Sequence, residues 1–137
     1  MTETLIPIRI KKVLQQSTYT SIVLGNENKS FAIYMAHDVG KNIQNYLADA
    51  PPIRPYTYDL LSNICIHFEM KWIQVVLLHA EEGIYFARLF VEQKKENITQ
   101  ILEIDARPSD CLILAVKEEL PILCSETLLN ESIAFEE

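Results

Sequence analysis

Apolar and polar residues along the first third of the chain follow the two-residue period of β-strands. From Leu5 to Leu14, isoleucines alternate with proline and charged residues, which predicts a strand with its isoleucine face inward. Shorter apolar segments at 19–24 and 30–35 are separated by residues 25–29, whose glycine and asparagines favour a turn. A meander of three antiparallel strands is therefore predicted at the start of the chain.

Two helices are predicted in the next part of the chain. Residues 37–48 place apolar side chains at positions i, i+4, i+7 and i+8, which lie on one helical face. Those side chains belong to Val39, Ile43, Tyr46 and Leu47. After a proline-rich break, Thr57 can cap a second helix that ends near Phe68 and buries an apolar stripe. That stripe consists of Leu61, Ile64, Cys65 and Phe68.

The second half of the chain shows the same order of elements. Further strands are predicted at 71–80, 84–92 and 98–105. A buried helix then begins at Pro108 and ends near Glu119, because the residues from Cys111 to Val116 are all apolar. The remaining predicted elements are a brief strand at 121–124, a short helix capped by Ser125, and a frayed acidic tail from about 131.

Three strands and a helix thus occur twice along the chain. Laying Ile33 on Ile104 aligns the two halves, although their sequence identity is negligible. The predicted fold class is α+β, with two repeats of an antiparallel three-strand meander plus helix that form a small sheet packed by helices. In this alignment Asp110 corresponds to Val39, a core position. An inward carboxylate needs an ion pair, hydrogen bonds or a metal ion.

Length and composition indicate a folded domain. The chain has 137 residues, of which 49% are apolar, so residues 1–137 are predicted to form one domain. No apolar run approaches the ~20 residues of a membrane-spanning helix, so no membrane association is expected. A strand pattern close to Met1 leaves no sign of a signal peptide. Buried free thiols and a cytoplasmic location are predicted from three cysteines that lack Cys-x-x-Cys spacing, namely Cys65, Cys111 and Cys124.

The formal net charge of −7 limits the ligands that the chain can attract. A protein that holds a long nucleic acid through its overall charge is expected to be basic. Any contact with DNA or RNA is therefore predicted to be transient, through a local basic patch or a bound cation.

One segment gathers most of the candidate chemistry, where a strand passes into the buried helix. It contains Asp105, Arg107, Pro108, Ser109 and Asp110. Proline fits the first helical turn because its missing N–H would lack a partner there. The helix dipole favours negative charge at the same end. Two carboxylates, a guanidinium and a hydroxyl at one helix N-terminus suit a phosphate, a metal ion or a buried ion pair.

Two segments resemble the paired signatures of the bifunctional nuclease family, a domain of bacteria and plants. The first is residues 54–61, Arg-Pro-Tyr-Thr-Tyr-Asp-Leu-Leu, and the second is residues 104–110, Ile-Asp-Ala-Arg-Pro-Ser-Asp. The intervening hairpin at 83–89 is similar to the family as well, and the likeness extends from about Pro7 to Asn130. The resemblance implies an α+β fold and nuclease activity on DNA and RNA.

Residue chemistry within the two signatures defines the candidate catalytic and metal residues. Asp59, Asp105 and Asp110 are the predicted catalytic carboxylates. Asp105 and Asp110 would also hold Mg²⁺ or Mn²⁺, because metal-dependent nucleases use such carboxylates to bind the cation and orient water.

Three residues are predicted to bind the substrate phosphate, namely Arg54, Arg107 and Ser109. Three aromatic residues can stack on unpaired bases, although aromatic residues on strands are more often part of the core. These are Trp72, Tyr85 and Phe86.

A structural hypothesis competes with the catalytic one. Arg54 and Arg107 can instead form buried pairs with the same aspartates and tie the two signatures together. The corresponding function is a non-catalytic interaction or regulatory member of the family, and a sensor of small nucleotides is a third alternative. A homo-oligomer is also predicted, from the strand edges of a small sheet.

Two departures from the family pattern favour the non-catalytic alternative. The family has His where this chain has Tyr58, and Glu-Ala where it has Val39 and Gly40. A tyrosine with an ordinary pKa of about 10 is no base near neutral pH. Valine binds neither a metal ion nor a proton.

Overall fold

The computed structural model describes residues 3–136, which form seven strands and four helices. The strands are β1 (Leu5–Gln15), β2 (Tyr19–Gly25), β3 (Ser30–Ala36), β4 (Met70–Glu81), β5 (Ile84–Lys95), β6 (Ile98–Ala106) and β7 (Ile122–Ser125). The helices are α1 (His37–Leu47), α2 (Thr57–His67), α3 (Pro108–Glu118) and α4 (Glu126–Glu131). Every predicted element is present. Met1, Thr2 and Glu137, which belong to the predicted domain and its tail, lie outside the described residues.

One mixed sheet joins the two predicted repeats, and the α+β prediction is confirmed. The strand order is β3-β2-β1-β7-β4-β5-β6. Strands within each meander are antiparallel, whereas β7 enters the centre of the sheet, antiparallel to β1 and parallel to β4. Ile122 therefore pairs with Ile8 on one side and Val75 on the other. The alignment of Ile33 with Ile104 also lays α1 onto α3 end to end, each 11 residues long.

The sheet curves around α3. Phe31 in β3 and Tyr85 in β5 stack with ring centroids 6.3 Å apart, although four strands lie between β3 and β5 in the sheet. In a flat sheet, strands spaced about 4.8 Å apart would keep these rings more than ~20 Å from each other. The residues from Cys111 to Ala115 are all buried, as in a helix enclosed on every side. The predicted buried helix is confirmed, and the core holds its N-terminus in place.

Helix α1 approaches β2 closely at a glycine. A Cβ atom added to Gly40 would overlap Oγ1 and Cβ of Thr20. Thr20 is fully buried and donates a hydrogen bond to Oε1 of Gln15, so it has little room to move. The glycine weakens the helix by about 1 kcal/mol relative to alanine. The structure favours glycine at this position because any Cβ atom would overlap Thr20.

Gly40→Ala is therefore expected to lower the free energy of unfolding by about 1–3 kcal/mol, because steric overlap outweighs the gain in helix propensity. Urea unfolding of the wild type and the variant measures this difference. In a Thr20→Gly background the same substitution should cost much less. A stabilised Gly40→Ala variant, or an equal cost in both backgrounds, would contradict the close approach.

The predicted buried face of α2 is wrong. Three of its four stripe residues are exposed by 40%, 46% and 66%, namely Leu61, Ile64 and Phe68. The buried face consists of Tyr58, Ser62 and Cys65. The hydroxyls of Tyr58 and Ser62 donate hydrogen bonds of 2.6 Å to Asp110 and Glu118 on α3. These two hydrogen bonds orient α2. They require Tyr58 and Ser62 to face α3, so the opposite face of the helix, with its apolar residues, is turned to solvent.

The outer strand β6 carries exposed isoleucines. Ile98, Ile101 and Ile104 are 66%, 55% and 40% exposed. Within the described part of the chain, β6 pairs with β5 on one side and with no strand on the other. Such an edge agrees with the expected homo-oligomer, which stays a prediction.

The three cysteines are buried and free of disulfide bonds, as predicted. Burial raises the pKa of the Cys111 thiol to about 12 and that of the Cys124 thiol to about 11, so both remain protonated at neutral pH. None of the helices in residues 3–136 has the length and apolar character needed to cross a membrane. The cytoplasmic location stays a prediction.

The acidic tail contacts the sheet at Phe135. The N–H of Phe135 donates a hydrogen bond of 2.8 Å to the carbonyl of Ser30 in β3. The tail that was expected to be frayed is therefore irregular after α4 but held against the sheet at this residue.

Candidate functional site

The start of α3 fixes Arg107 and Asp110 against each other. Arg107 has an extended backbone before Pro108, and its carbonyl accepts a helical hydrogen bond of 3.1 Å from the N–H of Cys111. Nε of Arg107 donates to Oδ2 of Asp110 at 2.8 Å, and Nη2 donates to Oδ1 at 3.1 Å. This two-point contact holds the guanidinium in one orientation beside the first helical turn.

The other signature reaches the same carboxylate through Tyr58 and not through an arginine. The Tyr58 hydroxyl on α2 donates to Oδ1 of Asp110 at 2.6 Å. The two arginine–proline segments therefore meet at Asp110. Arg54 is exposed, and the pairing expected for it is wrong, because it forms no hydrogen bond or ion pair within residues 3–136.

Hydrogen bonds determine the charge state of this cluster. Burial alone would raise the pKa of Asp110, but the hydrogen bonds from Arg107 and Tyr58 outweigh it and hold the pKa below the ordinary 3.8. Burial and the hydrogen bond to Asp110 raise the pKa of Tyr58 far above its ordinary value. At neutral pH the cluster therefore contains a carboxylate, a guanidinium and a neutral phenol.

Asp105, at the end of β6, has its own arginine. Nη1 of Arg88, the neighbour of Asp105 across the β5–β6 pair, donates to Oδ1 at 2.5 Å. Nε of Arg88 also lies 3.6 Å from Oε1 of Glu103. The Asp105 side chain is 77% exposed, so solvent reaches its charge. The site residues predicted from the sequence do not include Arg88, although it lies in the family-like hairpin segment 83–89.

Asp59, the third predicted catalytic carboxylate, has a different set of partners and joins helices. Its Oδ2 accepts a hydrogen bond of 2.7 Å from the N–H of Tyr56. Its Oδ1 accepts one of 3.0 Å from the hydroxyl of Tyr46 and lies 3.7 Å from Nζ of Lys117. These contacts connect α2 with α1 and α3, which is a structural role.

Two adjoining cavities share the segment from Asp105 to Arg107 as a wall. The hairpin cavity, of about 640 Å³, lies between β3, the β4–β5 turn and the start of α3, and Ser109 lines it. The α2 cavity, of about 830 Å³, lies between α2, β4, β5 and the end of β6, and Asp110 lines it. Four of the predicted site residues therefore border this pair of cavities, whereas Asp59 and Arg54 are not among the described residues that line them.

Comparison with known proteins identifies the domain. The family model described as the bifunctional nuclease domain matches residues 22–137. The chain belongs to this family. Two uncharacterized proteins, each from a strain of Mycobacterium tuberculosis, are 26% identical to it over 81 residues, which is 59% of this chain and 45% of each relative. The match thus spans less than half the length of these relatives. The family resemblance of the two signatures is confirmed.

The two departures from the bifunctional nuclease pattern have different surroundings. Tyr58 stands where the pattern has His and binds Asp110 as a neutral donor. Val39 stands where the pattern has Glu, packs against the core and lines the hairpin cavity. The first position still contributes to the cluster, whereas the second adds only apolar surface.

The carboxylates beside the hairpin cavity and the α2 cavity do not form a metal site on their own. Asp105 and Asp110 each accept hydrogen bonds from an arginine, so a cation would meet a guanidinium at either residue. Within residues 3–136, no three His, Cys, Asp or Glu side chains are grouped so that they can hold a metal ion. Mg²⁺ often uses one or two carboxylates and completes its shell with water and substrate phosphate. The expected Mg²⁺ or Mn²⁺ therefore depends on a phosphate ligand and stays a prediction.

The contact between Arg107 and Asp110 is not the buried ion pair that the structural hypothesis predicts. The two side chains are 68% and 29% exposed, because the first turn of α3 opens on the cavities. An ion pair of this exposure contributes about 0–1 kcal/mol to stability.

Tyr58→Phe is expected to destabilise the protein more than Arg107→Ala. The first should lower the free energy of unfolding by about 1–3 kcal/mol, because it removes the hydrogen bond that joins α2 to a half-buried carboxylate. The second should cost no more than about 1 kcal/mol. Calorimetric melting of both variants measures the order. Greater destabilisation by Arg107→Ala than by Tyr58→Phe would instead support a buried ion pair.

Proposed function

We propose that this protein hydrolyses phosphodiester bonds in DNA or RNA at the segment from Asp105 to Asp110. One observation carries the proposal. The guanidinium of Arg107 is 68% exposed, yet Asp110 holds it in one orientation beside both cavities. A fixed guanidinium binds phosphate in a two-point contact and loses little conformational entropy when it does so. Membership of the bifunctional nuclease family supports the same class of reaction.

The proposed phosphate ligands are Arg107 and Ser109. Arg107 has five N–H donors, of which two contact Asp110, so three remain for a phosphate. The hydroxyl of Ser109 and the free N–H groups of the first α3 turn lie next to it in sequence, where the helix dipole favours an anion. Arg54, exposed before α2, would contact a phosphate farther along the substrate.

The proposed catalytic carboxylate is Asp105. Asp110 has a lowered pKa and is therefore a weak proton acceptor. Asp105 lines both cavities, and the hydrogen bond that it accepts from Arg88 involves Oδ1. Its Oδ2 would take a proton from a water molecule that attacks phosphorus, while the P–O bond breaks and the leaving oxygen gains a proton from solvent. A bound Mg²⁺ or Mn²⁺ would offset charge on the phosphate.

Cleavage of end-labelled single-stranded DNA and RNA by the purified protein tests the proposal. The reaction is run in Mg²⁺, in Mn²⁺ and in EDTA. We expect cleavage that Arg107→Gln lowers about 10-fold or more, because a charge-assisted phosphate contact is worth about 1.5–3 kcal/mol. Arg9→Gln is the matched control, because Arg9 is exposed on β1 and lines neither cavity. Undiminished cleavage by Arg107→Gln would contradict the proposal, and cleavage unchanged by EDTA would contradict a role for the metal.

A non-catalytic module that only binds the same ligand is the alternative. The observation that favours it is that the polar groups of the site already have partners. Asp105 and Asp110 both accept hydrogen bonds from arginines, and Tyr58 is a protonated phenol. This alternative predicts binding of nucleic acid without cleavage, and loss of that binding in Arg107→Gln. Measurements of binding and cleavage on the same sample distinguish the two.

A further inference from the structure

The wall between the hairpin cavity and the α2 cavity carries Arg107. A phosphate bound by its guanidinium would lie between two largely apolar recesses. We propose that the site takes two neighbouring nucleotides of a single strand, with the linking phosphate at Arg107 and one base in each cavity. This inference rests on the proposed function and names its substrate.

The hairpin cavity offers aromatic surface to one base. Tyr34, Tyr85 and Phe86 line it. Tyr85 is held in place by its stacking on Phe31, whereas Tyr34 is 63% exposed and packs edge-to-face with Tyr19, with ring centroids 5.9 Å apart. Aromatic rings stack on any base, so this cavity would bind a base without selecting its identity.

The α2 cavity combines apolar walls with polar groups at the edge. Trp72 and Met70 of β4 line it together with Asn42 and Thr57. The side-chain amide nitrogen of Asn42 donates to carbonyls of α1, which leaves its Oδ1 as an acceptor for the edge of a base. The volume of about 830 Å³ lies within the range of about 300–1,000 Å³ that small-molecule sites occupy.

A duplex cannot enter this site in the same way, because its bases are paired and stacked on each other. The net charge of −7 also disfavours a long polyanion. Affinity would therefore come from the bases, with one phosphate neutralised. For single strands the logarithm of the binding constant changes with the logarithm of salt concentration by about −0.7 per neutralised phosphate. When binding of a single-stranded oligonucleotide is measured at several salt concentrations, we therefore expect a slope near about −0.7.

Calorimetric titration of Asp105→Asn in EDTA tests the inference, because this variant should bind without cleaving. The probes are the dinucleotides ApA and d(ApA), the mononucleotide AMP, and a dinucleotide that lacks one base. We expect the complete dinucleotides to bind at least 10-fold more tightly than the other two. Equal affinity for dinucleotide and mononucleotide would overturn the two-base site.

Substitutions at exposed positions can fill one cavity, or remove an aromatic ring that lines it, without disturbing the core. Leu61, 40% exposed, lines the α2 cavity, so Leu61→Trp should weaken binding of ApA at least 10-fold. Leu60→Trp is the matched control on the same helix, because Leu60 is 55% exposed and lines neither cavity. Tyr34→Ala should weaken ApA binding through the hairpin cavity. Unchanged affinity in both cavity variants would overturn the inference.

The two proposals fail in different ways. Cleavage of duplex and single strand at equal rates would overturn the two-base site and leave the proposed hydrolysis standing. Tight binding of ApA without cleavage of any strand by the wild type would support the two-base site and contradict the hydrolysis.

Discussion

Asp105→Asn is expected to lower the rate of phosphodiester cleavage by about 100-fold or more. A general base typically contributes about 10²–10⁴ to the rate, and an amide cannot take a proton from water. The side chain is 77% exposed at the end of an edge strand, so the fold should not depend on its charge. Single-turnover cleavage of a labelled single-stranded substrate measures the rate, and circular dichroism verifies the fold.

Glu103→Gln is the matched control for this experiment. Glu103 lies two residues earlier on β6, is 53% exposed, and is the other carboxylate near Arg88. It lines neither cavity, so the rate of cleavage should remain close to that of the wild type. Equal losses in the two variants would show that the effect arises from Arg88 and not from a base at Asp105.

Raising the pH from 8 to 11 is expected to remove several kcal/mol of the free energy of unfolding. Burial raises the pKa of Cys111 to about 12 and that of Cys124 to about 11, whereas unfolded cysteines titrate near 9.0. Their contribution to stability is fully present below pH 9, where both states are protonated. It decreases as the unfolded chain ionises, by about 1.4 kcal/mol per pH unit and group, until the native pKa is reached. Urea unfolding across this range measures the decrease.

Tyr58 adds to the same alkaline decline above its ordinary pKa of 10.0. Burial and its hydrogen bond to Asp110 keep the native phenol protonated, while the unfolded phenol ionises. Tyr58→Phe should therefore be less stable than the wild type at pH 8, but its stability should fall less steeply above pH 10. Parallel curves for the two proteins would contradict the raised pKa.

The positions of strands and helices could be predicted from the sequence because their signals are local. Alternating isoleucines mark β1, and six consecutive apolar residues from Cys111 to Val116 mark the enclosed helix α3. The alignment of Ile33 with Ile104 also identified the internal repeat, because both meanders pass into a helix at the same distance from these residues.

The orientation of α2 could not be predicted in the same way. Its apolar residues suggest one face, but hydrogen bonds to Asp110 and Glu118 select another. Those carboxylates lie 52 and 56 residues farther along the chain, beyond the reach of any periodicity. Long-range polar contacts therefore decided a feature that local patterning assigned to apolar burial.

The candidate site was only partly visible in the sequence. Arg107, Ser109 and Asp110 stand together because they share one helix N-terminus. The ion pair between Arg88 and Asp105 depends on the register between β5 and β6, and the two cavities depend on the curvature of the sheet. Neither register nor curvature is encoded within a single segment.

The strand at the centre of the sheet is also the last of the seven described strands to be synthesised. β7 separates β1 from β4, so until it is synthesised both meanders expose the inner edges that later pair with Ile122–Ser125. Open edges of this kind pair readily with other chains. Nascent chains that stall before Ile122 would therefore be prone to aggregation, and the two halves can join into one sheet only after β7 has been synthesised.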